Sequence, residues 1–309
     1  GRVDRVAAQA LLAKIYLYAA SAKEHNVPLY RDMTRDVTAM YGEATKYGAR
    51  VLGIDPAYPQ NTYFFELNLL DIYSVDNFSG NENIFLMSMD RTGESEGQYS
   101  KISKMFIPYV DGATIWLRQG DSDSFIKSHD GWGEYRTEID FYNSFEEGDL
   151  RKEHLIASKV YNASGDVTAE WKADGSGKLL YPFCRKYIDP QFDGDKTSTR
   201  PFLLRFTDIA MTYAEAAGPT GEAYQVMNFI RQRAGLGNLP SDLPKEEFRE
   251  RIYRERIYEM AYEADRMYDI RRWGRIGEIK EVVDAGLTES QYSFYPIPQS
   301  EINLNPSLR

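Results

Sequence analysis

Apolar residues recur at helical spacing at both ends of the chain and lose that spacing in between. Ala7, Leu11, Ile15 and Tyr18 fall on one face, which predicts a helix over about residues 3–20. Val37, Met40, Ala44, Tyr47 and Val51 step by 3, 4, 3 and 4 and predict a second over about 34–53, with Thr34 as its N-cap and Gly53 as its stop. Asp55-Pro56 and Tyr58-Pro59 mark the loop beyond it. Residues 61–75 carry a mixed period that fits neither element, and residues 83–89 suit a buried extended segment. Helical period returns near residue 206. Ile209, Tyr213 and Ala216 line a short helix that stops at Gly218-Pro219, and Ala223, Val226, Met227, Ile230 and Ala234 line the next, with Gly235 after its last turn. Tyr253, Ile257, Met260, Ala264 and Met267 step by 4, 3, 4 and 3, which predicts one long helix over about 244–273 with Pro244 in its first turn. The tail, from Tyr295-Pro296-Ile297-Pro298 to Asn305-Pro306, is set by its prolines as extended.

Between residues 90 and 203, Gly, Ser, Asp and aromatics alternate, and the only helical stripe lies around 137–147. Ser164-Gly165-Asp166 and Asp174-Gly175-Ser176-Gly177 are turn signals, and residues 155–162 and 178–187 are candidates to pair as a hairpin. The fold class that follows is mainly α, with tetratricopeptide-like helix pairs supporting a loop-rich region with short strands. The strict 34-residue repeat is absent. The expected organisation is one composite domain over 1–309: a helical part at 1–89, an irregular ligand-binding part at 90–203, and a C-terminal helical part with an extended tail at 204–309.

Composition narrows the chemistry. A formal net charge of −10, with no Lys/Arg-rich block to offset it, argues against nucleic acid as a partner. The single cysteine, Cys184, makes neither an internal disulfide nor a multi-cysteine metal site, and its aromatic neighbourhood suits a buried thiol. His25, His129 and His154 share no metal-ligand spacing. Asp121-Ser122-Asp123-Ser124 and Asp193-Gly194-Asp195 begin like calcium loops but fail at the fifth and sixth positions, so solvated loops are expected. No catalytic residue, metal or cofactor is indicated, and no run of about 18 apolar residues offers a membrane span.

The 23 tyrosines do change the picture, because a ring with a hydroxyl suits both a core and a surface for polar, ring-shaped ligands. Tyr99, Tyr109, Trp116, Trp132 and Tyr135 lie among Gly, Asp and Ser in loop-like sequence and are the candidate ligand-binding residues. A sugar's C–H face stacks on such rings while flanking polar groups bond its hydroxyls. Core packing of a small β-rich lobe is the competing reading for each of the five.

Several motifs in order carry a resemblance. They are residues 7–19 (AAQALLAKIYLYA), Asn81-Glu82-Asn83-Ile84-Phe85, Phe145-Glu146-Glu147-Gly148-Asp149-Leu150-Arg151, residues 200–216 (RPFLLRFTDIAMTYAEA), residues 228–236 (NFIRQRAGL), residues 255–260 (ERIYEM), residues 265–274 (DRMYDIRRWG) and the tail from Tyr295 to Pro306. Together they resemble the SusD/RagB family of outer-membrane nutrient-binding lipoproteins. The resemblance implies a SusD-like α-α superhelix and a non-catalytic, lipid-anchored protein on the surface of a Gram-negative outer membrane. It implies capture of oligo- or polysaccharide for a SusC-like, TonB-dependent transporter. RagB-type members imply peptide or glycoprotein as the alternative ligand, and a hydrolase on a helical frame is a remote third reading. Family members begin with a signal peptide, a lipidated cysteine and further helices, so the resemblance implies a fragment whose membrane contact runs only through an anchor upstream. Arg271-Arg272-Trp273 is expected to serve the scaffold, with Arg complementing a helix end and Trp273 packing on neighbouring helices. No motif carries over a ligand-binding residue.

Overall fold

A computed structural model describes residues 3–292, 297–305 and 307. The first helix, α1 (Arg5–Glu24), starts where the Asp4 carboxylate accepts from the Ala7 amide at 2.7 Å. Its buried stripe is Ala7, Ala10, Ala13, Leu17 and Ala20, whereas Leu11 and Ile15 are exposed. The expected face is thus rotated. Small alanines let α2 (Val37–Val51) pack closely on α1, and that close packing decides which side turns inward. On α2 the expected face holds, with Met40, Ala44 and Val51 buried, but the cap is Asp36 rather than Thr34, accepting from Ala39 N at 2.8 Å. Gly48 is where α2 meets the next helical layer: a Cβ there would stand 2.8 Å from Tyr213 Cβ.

That layer is α6 (Phe206–Ala217), whose residues are buried almost throughout because α1, α2, α7 (Gly221–Arg233) and α8 (Lys245–Glu259) all pack on it. Met227, Ile230, Phe248 and Ile252, all fully buried, form the core of this stack; each such side chain contributes about 1.5–3 kcal/mol on leaving water.

The expected 244–273 helix is two helices. The chain breaks after Glu259, passes through left-handed backbone at Tyr262 (φ 66°) and Ala264 (φ 67°), and resumes as α9 (Arg266–Arg272). The break lets Glu263 turn into a buried ionic network and lets the Tyr262 carbonyl accept from Tyr187 Oη at 2.9 Å. Ala264 is exposed and Met267 is 45% exposed, so the apolar step across residues 260–267 was coincidental. In the tail, Gln299–Leu304 is a helix that begins after Pro298, not an extended stretch; Tyr295, Pro296 and Pro306 lie outside the described residues.

The middle of the chain contributes the short helices α3 (Ile102–Phe106), α4 (Ile139–Asn143) and α5 (Leu150–Leu155) and three small antiparallel sheets. β1 (Asn83–Leu86) pairs with β8 (Phe202–Arg205). β2 (Ile115–Arg118), β3 (Phe125–Ser128), β5 (Lys159–Tyr161) and β6 (Val167–Glu170) form a four-stranded sheet in the order β3-β2-β5-β6. β4 (Ile156–Ala157) pairs with β7 (Phe183–Cys184). Only that last pair realises the expected hairpin. Residues 159–161 turn instead at Ser164-Gly165 and pair with β6. A second core of Ile107, Ile115, Leu117, Val160, Leu179 and Phe183 lies under the larger sheet.

Candidate functional site

The five aromatic candidates separate into a cluster of three, Tyr99 on a neighbouring segment, and Trp116 as an outlier. Residues 104–108 and 131–135 are tied by four backbone bonds: Trp132 N to Lys104 O (2.7 Å), Tyr135 N to Met105 O (2.8 Å), Gly133 N to Ile107 O (2.9 Å) and Gly131 N to Pro108 O (3.2 Å). This places Trp132 (44% exposed), Tyr135 (56%) and Tyr109 (69%) on one short stretch of surface. Asp130 holds the neighbouring turn by accepting from Val110 N at 3.2 Å and Gly112 N at 2.8 Å. The Phe106 ring supports Tyr135 at 5.5 Å between centroids. Polar groups surround the cluster. Lys104 Nζ stands 5.9 Å from the Trp132 ring centre and pairs with Asp195 at 2.9 Å.

Tyr99 is half-buried, with Lys101 and Lys196 over its ring at 5.5 and 4.8 Å, and the Ser100–Thr197 bridge ties it to the segment carrying Asp195. Trp116 stands apart on β2, half-buried, in register with Lys127 and Tyr161. None of the five lines the cleft of about 480 Å³ in the helical half, which Glu146, Arg231, Arg251, Arg254 and Tyr258 surround.

One arrangement looks catalytic. Ser103 Oγ lies 2.9 Å from His129 Nε2, as a nucleophile lies from its base. Both side chains are buried, however, and His129 Nδ1 faces the Asp130 carbonyl at 2.7 Å rather than a carboxylate. Burial pulls the imidazole below its ordinary pKa, so it stays neutral and clips α3 to the segment carrying Trp132. Among the described residues no group of three or more His, Cys, Asp or Glu is placed to hold a metal ion. The two calcium-like stretches are engaged by cations instead, Asp123 by Arg118 at 3.2 Å and Asp195 by Lys104. Among the described residues no helix is long and apolar enough to cross a membrane.

The sequence model of the SusD family matches residues 81–309. The chain belongs to the SusD family. SusD-like protein P2 of Formosa agariphila is 26% identical over 203 residues, covering 58% of this chain and 40% of that protein. A laminarin-binding SusD-like protein of known structure superposes with a TM-score of 0.69 at 22% identity, covering 98% of this chain and 61% of that one. Surface glycan-binding protein A from Bacteroides thetaiotaomicron, solved with laminarihexaose, gives a TM-score of 0.67 at 18% identity, over 100% of this chain and 64% of that one. The chain therefore spans less than two thirds of these relatives, and at such identities the structures establish the shared fold.

Most of the motifs that resemble the SusD family form buried ionic networks in the scaffold. In the first network, Arg205 bonds Glu82 (3.1 Å), Glu259 (3.0 Å) and Glu263 (2.9 Å). Arg233 also holds Glu82 and Glu259, Lys186 pairs with Glu263 (2.7 Å), and Arg151 joins Asp149, Glu255 and Glu259. In the second, Arg256 bridges Asp208 and Asp269, Lys14 pairs with Asp208, and Arg272 pairs with Glu215 and Asp269. Trp273 stacks on His25 at 4.8 Å and donates from Nε1 to Glu215 at 3.2 Å. The scaffold role expected for Arg271-Arg272-Trp273 thus holds for Arg272 and Trp273, and Arg272, in the last turn of α9, is in addition a buried ion-pair member. Sequence reasoning missed Arg185. It lies beside a cleft of about 220 Å³, and residues 184–186 (CRK) carry no signal that the middle residue is buried.

Proposed function

We propose that this SusD-family chain binds oligo- or polysaccharide at the cell surface without transforming it, and delivers it to a TonB-dependent outer-membrane transporter. The observation that carries the reading is the Trp132, Tyr109 and Tyr135 cluster: three large rings held in the open by a fixed backbone pair, with Lys104 and Asp195 beside them. Exposed rings flanked by hydrogen-bonding groups suit the alternating C–H faces and hydroxyls of a sugar chain. An open face suits a polymer better than an enclosed pocket does. Two structurally similar proteins support the glycan class, one described as laminarin-binding and one solved with laminarihexaose. Tyr99 belongs to the rim of the proposed site, and Trp116 to a separate face.

Delivery to a transporter and a surface location belong to the same proposal, and membership of the SusD family supports them. The test is calorimetric titration of the protein with a panel of polysaccharides and peptides, with reducing-sugar release followed in parallel. Saturable binding of a glycan without release of reducing ends is expected. Binding of peptides alone would move the protein to the peptide class, and steady release of reducing sugar would make it an enzyme.

A further inference from the structure

Arg185 differs from the other buried arginines. Arg151, Arg205, Arg233, Arg249, Arg256 and Arg272 all pair with carboxylates. Arg185 is also buried but donates to two neutral acceptors, the Arg118 carbonyl from Nη1 and Gln119 Oε1 from Nη2 at 3.0 Å. Its Nε has no partner, and among the described residues no carboxylate pairs with it. Burial without a counter-charge pulls its guanidinium down to about 10. A buried unpaired ion is strongly unfavourable, and an arriving anion relieves that penalty.

The surroundings suit such an anion. The cleft of about 220 Å³ is lined by Arg118, Lys159, Tyr161 and Arg185, with Asp121 and Glu153 as its acidic members. The adjoining sheet extends this character. Ile115 and Leu117 on β2 and Val160 on β5 point into the core, so Trp116, Arg118, Lys159 and Tyr161 share the outer face. Lys127 is in register with Trp116, and the Phe125 ring lies 4.9 Å from Tyr161. Glu170, opposite Lys159, is engaged by Lys172 at 2.8 Å. Lysines and rings thus gather on one face of a chain whose net charge is −10, with Arg118 at its edge paired to Asp123 at 3.2 Å. Rings stack on sugars, and a guanidinium fits the planar fork of a carboxylate or the oxygens of a sulfate.

We propose that the Arg185 cleft and the outer face of this sheet bind the anionic substituent of an acidic oligosaccharide, a uronate carboxylate or a sulfate ester. The proposal rests on the glycan-binding reading and names a substrate class for it. The test is calorimetry at 50 mM salt with neutral, uronate-bearing and sulfated oligosaccharides of equal length and with an oligoglutamate peptide. The proteins compared are wild type, Arg185→Gln and Lys159→Ala, with the exposed Lys159 carrying the test if Arg185→Gln fails to fold. At least one acidic sugar is expected to bind ten-fold or more tighter than the neutral one, and which of the two does so identifies the substituent. Lys159→Ala should reduce that preference several-fold and Arg185→Gln should abolish it. Equal affinity for neutral and acidic sugars, equal affinity for the peptide, or a preference that survives both substitutions overturns the proposal while leaving glycan binding intact. Failure of every sugar to bind overturns both.

Discussion

Replacing Arg205 by Met should destabilise the protein by about 3–5 kcal/mol, the range for breaking a buried ion pair from one side. The guanidinium is fully buried and bonds Glu82, Glu259 and Glu263, together with the Glu259 carbonyl. Its network sets Arg151, Lys186, Arg205, Arg231 and Arg233 against five buried carboxylates, Glu82, Asp149, Glu255, Glu259 and Glu263, with the exposed Glu146 also reaching Arg231 at its edge. Methionine fills similar space but leaves five buried carboxylates facing four cations. None is wholly abandoned: Glu82 keeps Arg233 and Thr207, Glu259 keeps Arg233 and Arg151, and Glu263 keeps Lys186 and Tyr73. These survivors favour the lower part of the range. With an unfolding entropy of about 2.1 cal/mol/K per residue, a chain of 309 residues converts that penalty into a fall in Tm of roughly 5–8 °C. Scanning calorimetry at pH 7 measures it. Adding Glu82→Gln, which restores the balance of buried charge and leaves Arg233 paired with Glu259 and Lys186 with Glu263, should recover part of the loss. A fall of less than about 2 °C, or no recovery in the double variant, would refute the view that charge balance holds this junction together.

Three further outcomes follow from the same geometry. At Glu259, burial opposes ionisation, but Arg233, Arg205 and Arg151 outweigh it and hold the carboxyl below its usual range; Glu263, Asp208 and Asp269 are depressed in the same way by their own cations. Their contribution is complete above the unfolded-state pKa near 4 and is lost as pH falls through the folded values, so Tm should drop steeply below about pH 4. Asp265, raised by burial and by the charge of Asp208, acts in the opposite sense and softens the upper edge of that drop; a Tm that stays flat down to pH 2 would contradict the assignment. Gly131→Ala would put a Cβ 1.9 Å from the Ile107 carbonyl oxygen, forcing apart the backbone pair that presents Trp132, so glycan affinity should fall several-fold for a loss of about 1–3 kcal/mol in stability by denaturant titration. Cys184 is buried, and burial pushes its thiol up to about 12, so iodoacetamide at pH 8 should modify it only in denaturant, as mass spectrometry would show.

The helical frame was legible because its signal is local. The 3, 4, 3, 4 step of α2 and the glycine stops at Gly53, Gly218 and Gly235, all with positive φ, each act within a few residues. Long-range decisions were not legible. Which face of α1 turns inward depends on how closely α2 approaches an alanine stripe, and the break at residues 260–265 depends on Arg205 and Lys186, distant in sequence, drawing Glu263 inward. The site was legible only as residue types. Loop aromatics could be named, but the backbone pairing that gathers Trp132, Tyr109 and Tyr135 and leaves Trp116 on another sheet is tertiary. Arg185 was hidden for the same reason: its significance is a missing counter-charge, which only packing reveals. The motifs that identify the family were the most visible feature, and they mark buried ion pairs of the scaffold rather than the ligand surface.

The central claim is that exposed rings on the 104–109 and 131–135 segments bind sugar, and the most direct measurement is the affinity of a Trp132→Ala, Tyr109→Ala double variant for the best glycan of the panel. Losing two stacking contacts should remove about 1–3 kcal/mol, on the order of 5- to 150-fold in Kd, with only a small fall in Tm because Tyr109 is 69% and Trp132 44% exposed. A double variant that folds and binds the glycan as tightly as wild type would contradict the account.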